Sequence, residues 1–234
     1  MLVAAAVLVA VPLGLYATFR LARSRTVQTF GRIVPRIETG ERLVALTFDD
    51  GPAPEPMDEV LGVLASRGVR STFFVNGAAL ERHPGLGRRL VAAGHELGNH
   101  TYSHDRMVLR WPSFIRSEIE RTDELIRSAG QDGAVLFRPP FGWKLVGLPW
   151  YLARTGRTTV TWDIDADAPP AGKDAERIVA ACLPRVRPGS IVLLHPWFDS
   201  REPSRQALPV LVDRLQADGY RLVTVRELLA HAAR

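Results

Sequence analysis

From residue 42 onward, short uninterrupted apolar runs alternate with segments whose apolar residues recur at helical spacing. Residues 42–48 (RLVALTF) form a β-type run that stops at Asp49, Asp50, Gly51 and Pro52. Residues 54–68 carry Val60, Leu61 and Leu64 on one face and read as a helix. A second strand is expected over 70–75, a second helix over 80–93, and a short strand over 96–98 that feeds a loop containing histidines. Residues 112–129 are the clearest amphipathic helix, with Ile115, Ile119, Leu125 and Ile126 near helical spacing. Residues 135–138, 158–162 and 190–195 read as further strands. The last holds the unbroken Ile191, Val192, Leu193 and Leu194 of a strand buried on both faces. Helices are expected over 145–154, interrupted by Pro149, over 175–183 and over 206–218. A strand at 222–225 precedes a C-terminal helix.

Strand-then-helix alternation predicts a parallel sheet. A full eight-unit barrel takes about 250 residues, so residues 42–232 hold fewer units. The expected fold class is α/β: an incomplete or distorted (β/α) barrel of about seven β/α units. An open doubly wound sheet is the alternative.

Ahead of this body, residues 2–19 are uncharged and mostly Ala, Val and Leu. As a helix this run would reach about 27 Å, enough for a bilayer core, and it lacks the polar stripe of a soluble surface helix. A transmembrane or signal-anchor helix is expected there. No basic stretch precedes the run and no small-residue cleavage site follows it, so a cleaved signal peptide is not expected.

Charge sharpens this division. The chain of 234 residues has 30 Lys+Arg and 25 Asp+Glu, a formal +5. Arg20, Arg23, Arg25, Arg32 and Arg36 lie in the first 36 residues with no acid among them, so residues 37–234 are neutral by count. A neutral body argues against a nucleic-acid partner. A basic stretch behind an apolar run suits anionic lipid. The positive-inside rule would hold that flank, and the body after it, in the cytoplasm. Composition is ordinary for a folded protein, which excludes disordered and collagen-like classes. The single cysteine, Cys182, excludes an internal disulfide and reads as a small buried apolar residue.

The notable polar residues follow strands: Asp49 and Asp50, His100 and His104, Arg138, the Asp163, Asp165 and Asp167 series, and His195. In a parallel barrel these ends share one face. His100 and His104 are four apart and can share an ion from one helical turn or a tight loop. A carboxylate from the Asp49–Asp50 pair completes two histidines and one aspartate. Such a set leaves positions open for water and substrate.

Four segments resemble ordered motifs of the polysaccharide deacetylases, the NodB-homology family or carbohydrate esterase family 4. They are Thr47 to Pro52 (TFDDGP), His100 to His104 (HTYSH), Arg138 to Gly142 (RPPFG) and Leu193 to His195 (LLH). The resemblance runs from about residue 42 to 228. It implies a distorted β/α barrel and metal-dependent removal of N-acetyl groups from amino-sugar residues of a peptidoglycan- or chitin-like glycan. By position it implies that Asp50, His100 and His104 hold a divalent metal, usually Zn2+. It implies Asp49 as general base, His195 as general acid and Arg138 as the group that orients Asp49. The Phe141 N–H is implied to face the oxyanion, and Leu193 the acetyl methyl.

Two departures stand out. The family usually has Tyr where Phe141 stands. It also has an Asp-Trp pair about six residues after the strand Trp, whereas Trp162 is followed by Asp163, Asp165 and Asp167 with no second Trp. Asp167 is the expected support of His195, with Asp165 second. The absent Trp alters one wall of the substrate groove. Two alternatives follow: a deacylase or deformylase of a lipid-linked amino sugar at the membrane, and an inactive glycan-binding protein. The expected organisation is an anchor helix at 1–19, a basic juxtamembrane linker at 20–41 and a catalytic domain at 42–232. Family resemblance favours an extracytoplasmic domain, against the charge bias. Among the remaining residues, His95 is expected to brace the loop approach, and His83 and His231 to lie at the surface. Trp143 and Trp197 either stack on a sugar or pack under the loops.

Overall fold

The computed structural model describes residues 2–232, with the backbone alone for 2–9. Helix α1 (Leu2–Ala22) and the short strand β1 (Ile33–Val34) precede the body. The body runs β2 (Leu43–Gly51), α2 (Pro54–Ser66), β3 (Thr72–Val75), α3 (Gly77–Arg82), α4 (Pro84–Ala92), β4 (Glu96–Asn99), α5 (Pro112–Ser128) and α6 (Gly147–Arg154). It continues through β5 (Thr159–Val160), β6 (Ile164–Asp165), α7 (Ala175–Cys182), β7 (Ile191–Leu194), α8 (Glu202–Ala217), β8 (Arg221–Leu222) and α9 (Val225–Ala230).

Parallel pairing joins β2 to β3 and to β7, β3 to β4, and β7 to β6. Single parallel bridges, Asn99 with Phe137 and Phe137 with Thr159, continue from β4 to β5. Residues 161–163 join β5 directly to β6, so the pairings close into a circuit. The result is a distorted barrel, not the open doubly wound sheet. Alternate residues of β2 enter two cores. Val44, Leu46 and Phe48 pack with the helices, while Leu43 and Ala45 face the interior with Phe74, Ile191 and Leu193. Burial on both faces explains the continuous apolar run.

Proline accounts for most of the differences from expectation. The expected helix at 80–93 is two helices, because Pro84 keeps His83 out of the helical region, at φ −133 and ψ 63. The expected strand at 135–138 shrinks to one residue, Phe137, bridged on both sides, since Pro139 and Pro140 carry no N–H for a ladder. Pro149 does not interrupt α6. It sits in the first turn, where a missing N–H costs nothing. Helix α8 starts at Glu202, earlier than expected, with a proline in its first positions.

The N-terminal residues behave least like the expectation. Residues 20–41, expected as a linker, are packed against the body. Strand β1 pairs in parallel with β5, and Val34 and Ile37 join the inner core. The Ile37 N–H donates to the Gly189 carbonyl (2.9 Å), and the Thr161 hydroxyl donates to the Arg25 carbonyl (2.6 Å). The Lys144 N–H donates to the Ala22 carbonyl (2.8 Å), and its ammonium to the Ser24 carbonyl. The apolar side chains at 34 and 37 fill the space between β5 and β7, which fixes the segment in place. The expected anchor at residues 2–19 falls partly on 1–9, whose side chains lie outside the described residues. Among the described residues, no helix is long and apolar enough to cross a membrane.

Gly189 marks the tightest crossing. It has φ +81, and a Cβ there would lie 1.7 Å from the Ile37 carbonyl oxygen. Gly189→Ala should therefore destabilise the fold by about 2–3 kcal/mol, read as a lower urea midpoint at unchanged slope. An unchanged midpoint would mean that residues 33–37 do not dock there.

Candidate active site

Strand alternation alone would send the side chains of Asp49 and Asp50 to opposite faces. The backbone avoids this at Asp50, which takes φ 73, and the β2–β3 register shifts between Asp49 and Gly51. Both carboxylates then face the mouth at the C-terminal ends of the strands. Asp49 is 2% exposed and accepts from Arg138 (Nη1 to Oδ1, 2.7 Å). Arg138 is fully buried. It also donates to the Thr47 hydroxyl (2.9 Å) and the Thr161 carbonyl (2.9 Å), and its guanidinium lies 3.9 Å from the centre of the Phe74 ring. Burial pulls the guanidinium pKa below its usual value, and the Asp49 charge opposes this.

The two histidines reach the same point from a tight loop, the second of the two sequence options. Thr101 and His104 both have left-handed φ, 67 and 62. The turn is held by the Asn99 side chain accepting from the Thr101 N–H (2.8 Å) and by Glu118 accepting from the Ser103 N–H (2.8 Å). Asn99 in turn donates to Asp123 (2.6 Å). These supports were not singled out in the sequence. Their signal was present: Glu118, Thr122 and Asp123 sit among the apolar positions of α5, beside Ile115, Ile119 and Ile126.

The donor set suits a divalent ion. The Nδ1–H of His100 donates to the Arg138 carbonyl (2.8 Å), which leaves its Nε2 with a free lone pair. That Nε2 lies 3.4 Å from Asp50 Oδ1, and His104 Nε2 lies 3.0 Å from the same oxygen. Asp50 Oδ1 is buried and has no protein donor. Three ligand atoms of Asp50, His100 and His104 lie within 4.8 Å of one another. Two imidazole nitrogens and one carboxylate are the donor types zinc prefers.

On the other side of the mouth, His195 follows β7. Its Nδ1–H donates to Asp167 Oδ1 (2.9 Å), and its backbone N–H donates to Asp167 Oδ2 (2.7 Å). Ser204, at the start of α8, donates to the same oxygen (2.6 Å) and had no sequence signal. Burial would lower the imidazolium. The Asp167 hydrogen bond and charge, with Asp49 and Asp50, instead raise it to about 9. Asp167, and not Asp165, is the partner of His195. Asp165 lies in the same groove with a buried Oδ1 that has no partner.

Phe141 takes a left-handed φ of 57, and its ring lies 4.6 Å from that of His104. Leu193 is buried in the inner core with Phe74 and Trp162 and does not line the large groove. Trp197 packs against Gly51 and Phe73, so its role is packing. Trp143 stands edge-on to Phe19 under Arg23 and Arg106. His95 is buried and accepts from the Ser71 N–H (3.2 Å), as a bracing residue would.

This geometry agrees with the comparisons. Residues 36–160 match the family model described as polysaccharide deacetylase. A chitooligosaccharide deacetylase of Bradyrhizobium is 36% identical over 203 residues, 81% of this chain and 92% of the relative. The chain belongs to the polysaccharide deacetylase family. Another relative in the family, a peptidoglycan-N-acetylglucosamine deacetylase of Bacillus cereus, is 31% identical over 202 residues, 86% of this chain and 94% of the relative. Among solved polysaccharide deacetylases, a peptidoglycan N-acetylglucosamine deacetylase superposes with a TM-score of 0.78 at 29% identity, covering 83% and 91% of the two chains. A CE4-family pseudoenzyme from Bacillus anthracis also shares the fold, with a TM-score of 0.78 at 24% identity over 88% and 71%. The fold of the family therefore does not by itself carry activity, and the side chains at the mouth must be weighed individually.

Proposed function

We propose that this chain is a metal-dependent N-deacetylase that hydrolyses the acetamide of N-acetylglucosamine-type residues in a glycan. The observation that carries the reading is the pairing of Asp49 with buried Arg138 beside the Asp50, His100 and His104 cluster, with His195 held by Asp167 across the mouth. The substrates named for the relatives in the family support the choice of glycan.

Asp50, His100 and His104 would hold the ion, most simply Zn2+ given their donor types. When bound, it supplies Lewis acidity toward the amide carbonyl and lowers the pKa of water. Asp49, aimed by Arg138, accepts the proton of the attacking water. The backbone N–H of Phe141 donates to the developing oxyanion, a role that needs no tyrosine hydroxyl. His195, protonated up to about pH 9, gives its proton to the departing amine nitrogen. Purified protein supplied with zinc should release acetate from N-acetylglucosamine oligomers. No release from any N-acetylated glycan would sink this reading. The uncharged run at residues 2–19 supports attachment to a membrane through α1, tested by a membrane fraction that retains the protein through a high-salt wash.

The acid role has a pH signature. His195 is charged below about pH 9, so activity should fall as pH rises through about 9. Asp167→Asn removes the main support of the imidazolium. The alkaline limb should move down by at least one pH unit, with kcat lowered about 10²-fold. An unmoved limb would remove His195 as the acid.

A further inference from the structure

Beside the mouth lies a groove of about 960 Å³, one wall of which is formed by residues ahead of the catalytic domain. Phe141 and Gly142 belong to both the groove and the mouth. The groove is lined by Arg20, Arg23, Arg25 and Arg185 against one carboxylate, Asp165. Several arginines elsewhere are paired, among them Arg67 with Asp213, Arg121 with Glu81, Arg205 with Glu59 and Arg138 with Asp49. Among the described residues, none of the four groove arginines makes an ion pair with a carboxylate. Arg25 lies over the Trp162 ring at 5.8 Å, and Arg23 over the Trp143 ring at 5.6 Å. Their backbone is not loose. Thr161 and Lys144 hold the carbonyls of Arg25, Ala22 and Ser24.

Arg20 donates to the Tyr16 hydroxyl (3.0 Å) and Arg185 to the Asp163 carbonyl (3.0 Å), which leaves further donors on each. Several guanidinium groups without a carboxylate partner around one concave surface are a recognition arrangement for an oxyanion. A neutral glycan gives such a charge nothing to meet. The exposed rings of Phe19 and Phe141 offer apolar faces for sugar, and the arginines offer forked donors beside them.

We infer that the Arg20–Arg25 segment and Arg185 form an anion subsite of the catalytic groove, so that the substrate is an N-acetylated amino-sugar glycan bearing a phosphate or a carboxylate near the amide that is cleaved. The N-terminal segment thereby sets specificity. The catalytic part of this inference rests on the deacetylase reading; the binding part does not.

Three N-acetylglucosamine oligomers of equal length separate the possibilities: one neutral, one ending in a phosphate and one ending in an aldonic carboxylate. At least one charged oligomer should show a KM about tenfold below that of the neutral one, and which one does so names the anion. The R25Q/R185Q enzyme should lose that difference, and R23Q should reduce it. Arg82→Gln, on an exposed helix outside the groove, should preserve it. Equal KM values for all three oligomers, or a preference that survives R25Q/R185Q and R23Q, would overturn the proposal. Binding is read separately by calorimetry of N-acetylglucosamine 1-phosphate with metal-depleted protein. It should weaken between 50 and 200 mM salt and in R25Q/R185Q. Binding that is insensitive to both would also overturn the anion subsite. Arginine-dependent binding without acetate release from any oligomer would leave the subsite standing and remove the deacetylase reading.

Discussion

On the proposed mechanism, Asp49→Asn should lower kcat by about 10³-fold and leave the metal content of zinc-supplied protein unchanged. The substitution keeps the shape of the side chain and its ability to accept from Arg138, so the buried pair loses charge but not geometry. What disappears is the carboxylate proposed to take the proton from water. Asp50→Asn should act differently, lowering metal content as well as activity, because Asp50 Oδ1 is the oxygen that meets both Nε2 atoms. Acetate release and metal analysis on the same preparations distinguish the two positions. If Asp49→Asn kept more than a tenth of the activity, the general base would have to be sought elsewhere. If it lost its metal, Asp49 would belong to the ligand set.

Replacing Arg138 should produce the largest loss of stability in the barrel. Arg138→Met removes a fully buried cation and leaves the Asp49 carboxylate at 2% exposure with its principal donor gone. Removing one partner of a buried ion pair costs about 3–5 kcal/mol, because the remaining charge is left uncompensated. The hydroxyl of Thr47 and the carbonyl of Thr161 lose donors in the same step. Urea unfolding should show this as a large drop in midpoint. The Arg138→Met/Asp49→Asn double variant should recover part of it, since the amide no longer strands a charge. A single variant within 1 kcal/mol of wild type, or a double variant no more stable than the single, would show that the pair does not brace the mouth. The same guanidinium thus joins the two tasks of the strand ends. It ties three strand regions together, and it aims the carboxylate of Asp49.

The sequence was most legible where one residue type has one physical meaning. The run ending at Asp49 and Asp50, the two histidines of the tight loop, and the apolar residues 191–194 each announced their strand end, and the structure brings them to one mouth. Asp167 was legible as the support of His195 only through the family's Asp-Trp pair, one residue short of its usual spacing, and Asp165 stands two residues away with the same chemistry. Strand alternation could not decide between them, since residues two apart share a face; the hydrogen bonds of Asp167 to His195 and Ser204 do. Ser204 and Asn99 were illegible because a hydroxyl or amide at a helix start or strand end has many ordinary uses. The least legible part was residues 20–41. Strand β1 is two residues long, too short for any period, and the contacts of Arg23 with Trp143 and Arg25 with Trp162 join residues distant in the chain.

The docking of that segment bears on how the enzyme would be prepared for study. Residues 42–232 carry the family motifs and would be the natural fragment to express once an apolar N-terminus is set aside. Such a fragment would lack Val34 and Ile37 from its core and the arginine wall from its groove. It would not be the same enzyme released from a tether. A change in substrate preference between the full chain and the fragment would then report a missing wall, and should not be credited to the presence or absence of a lipid surface.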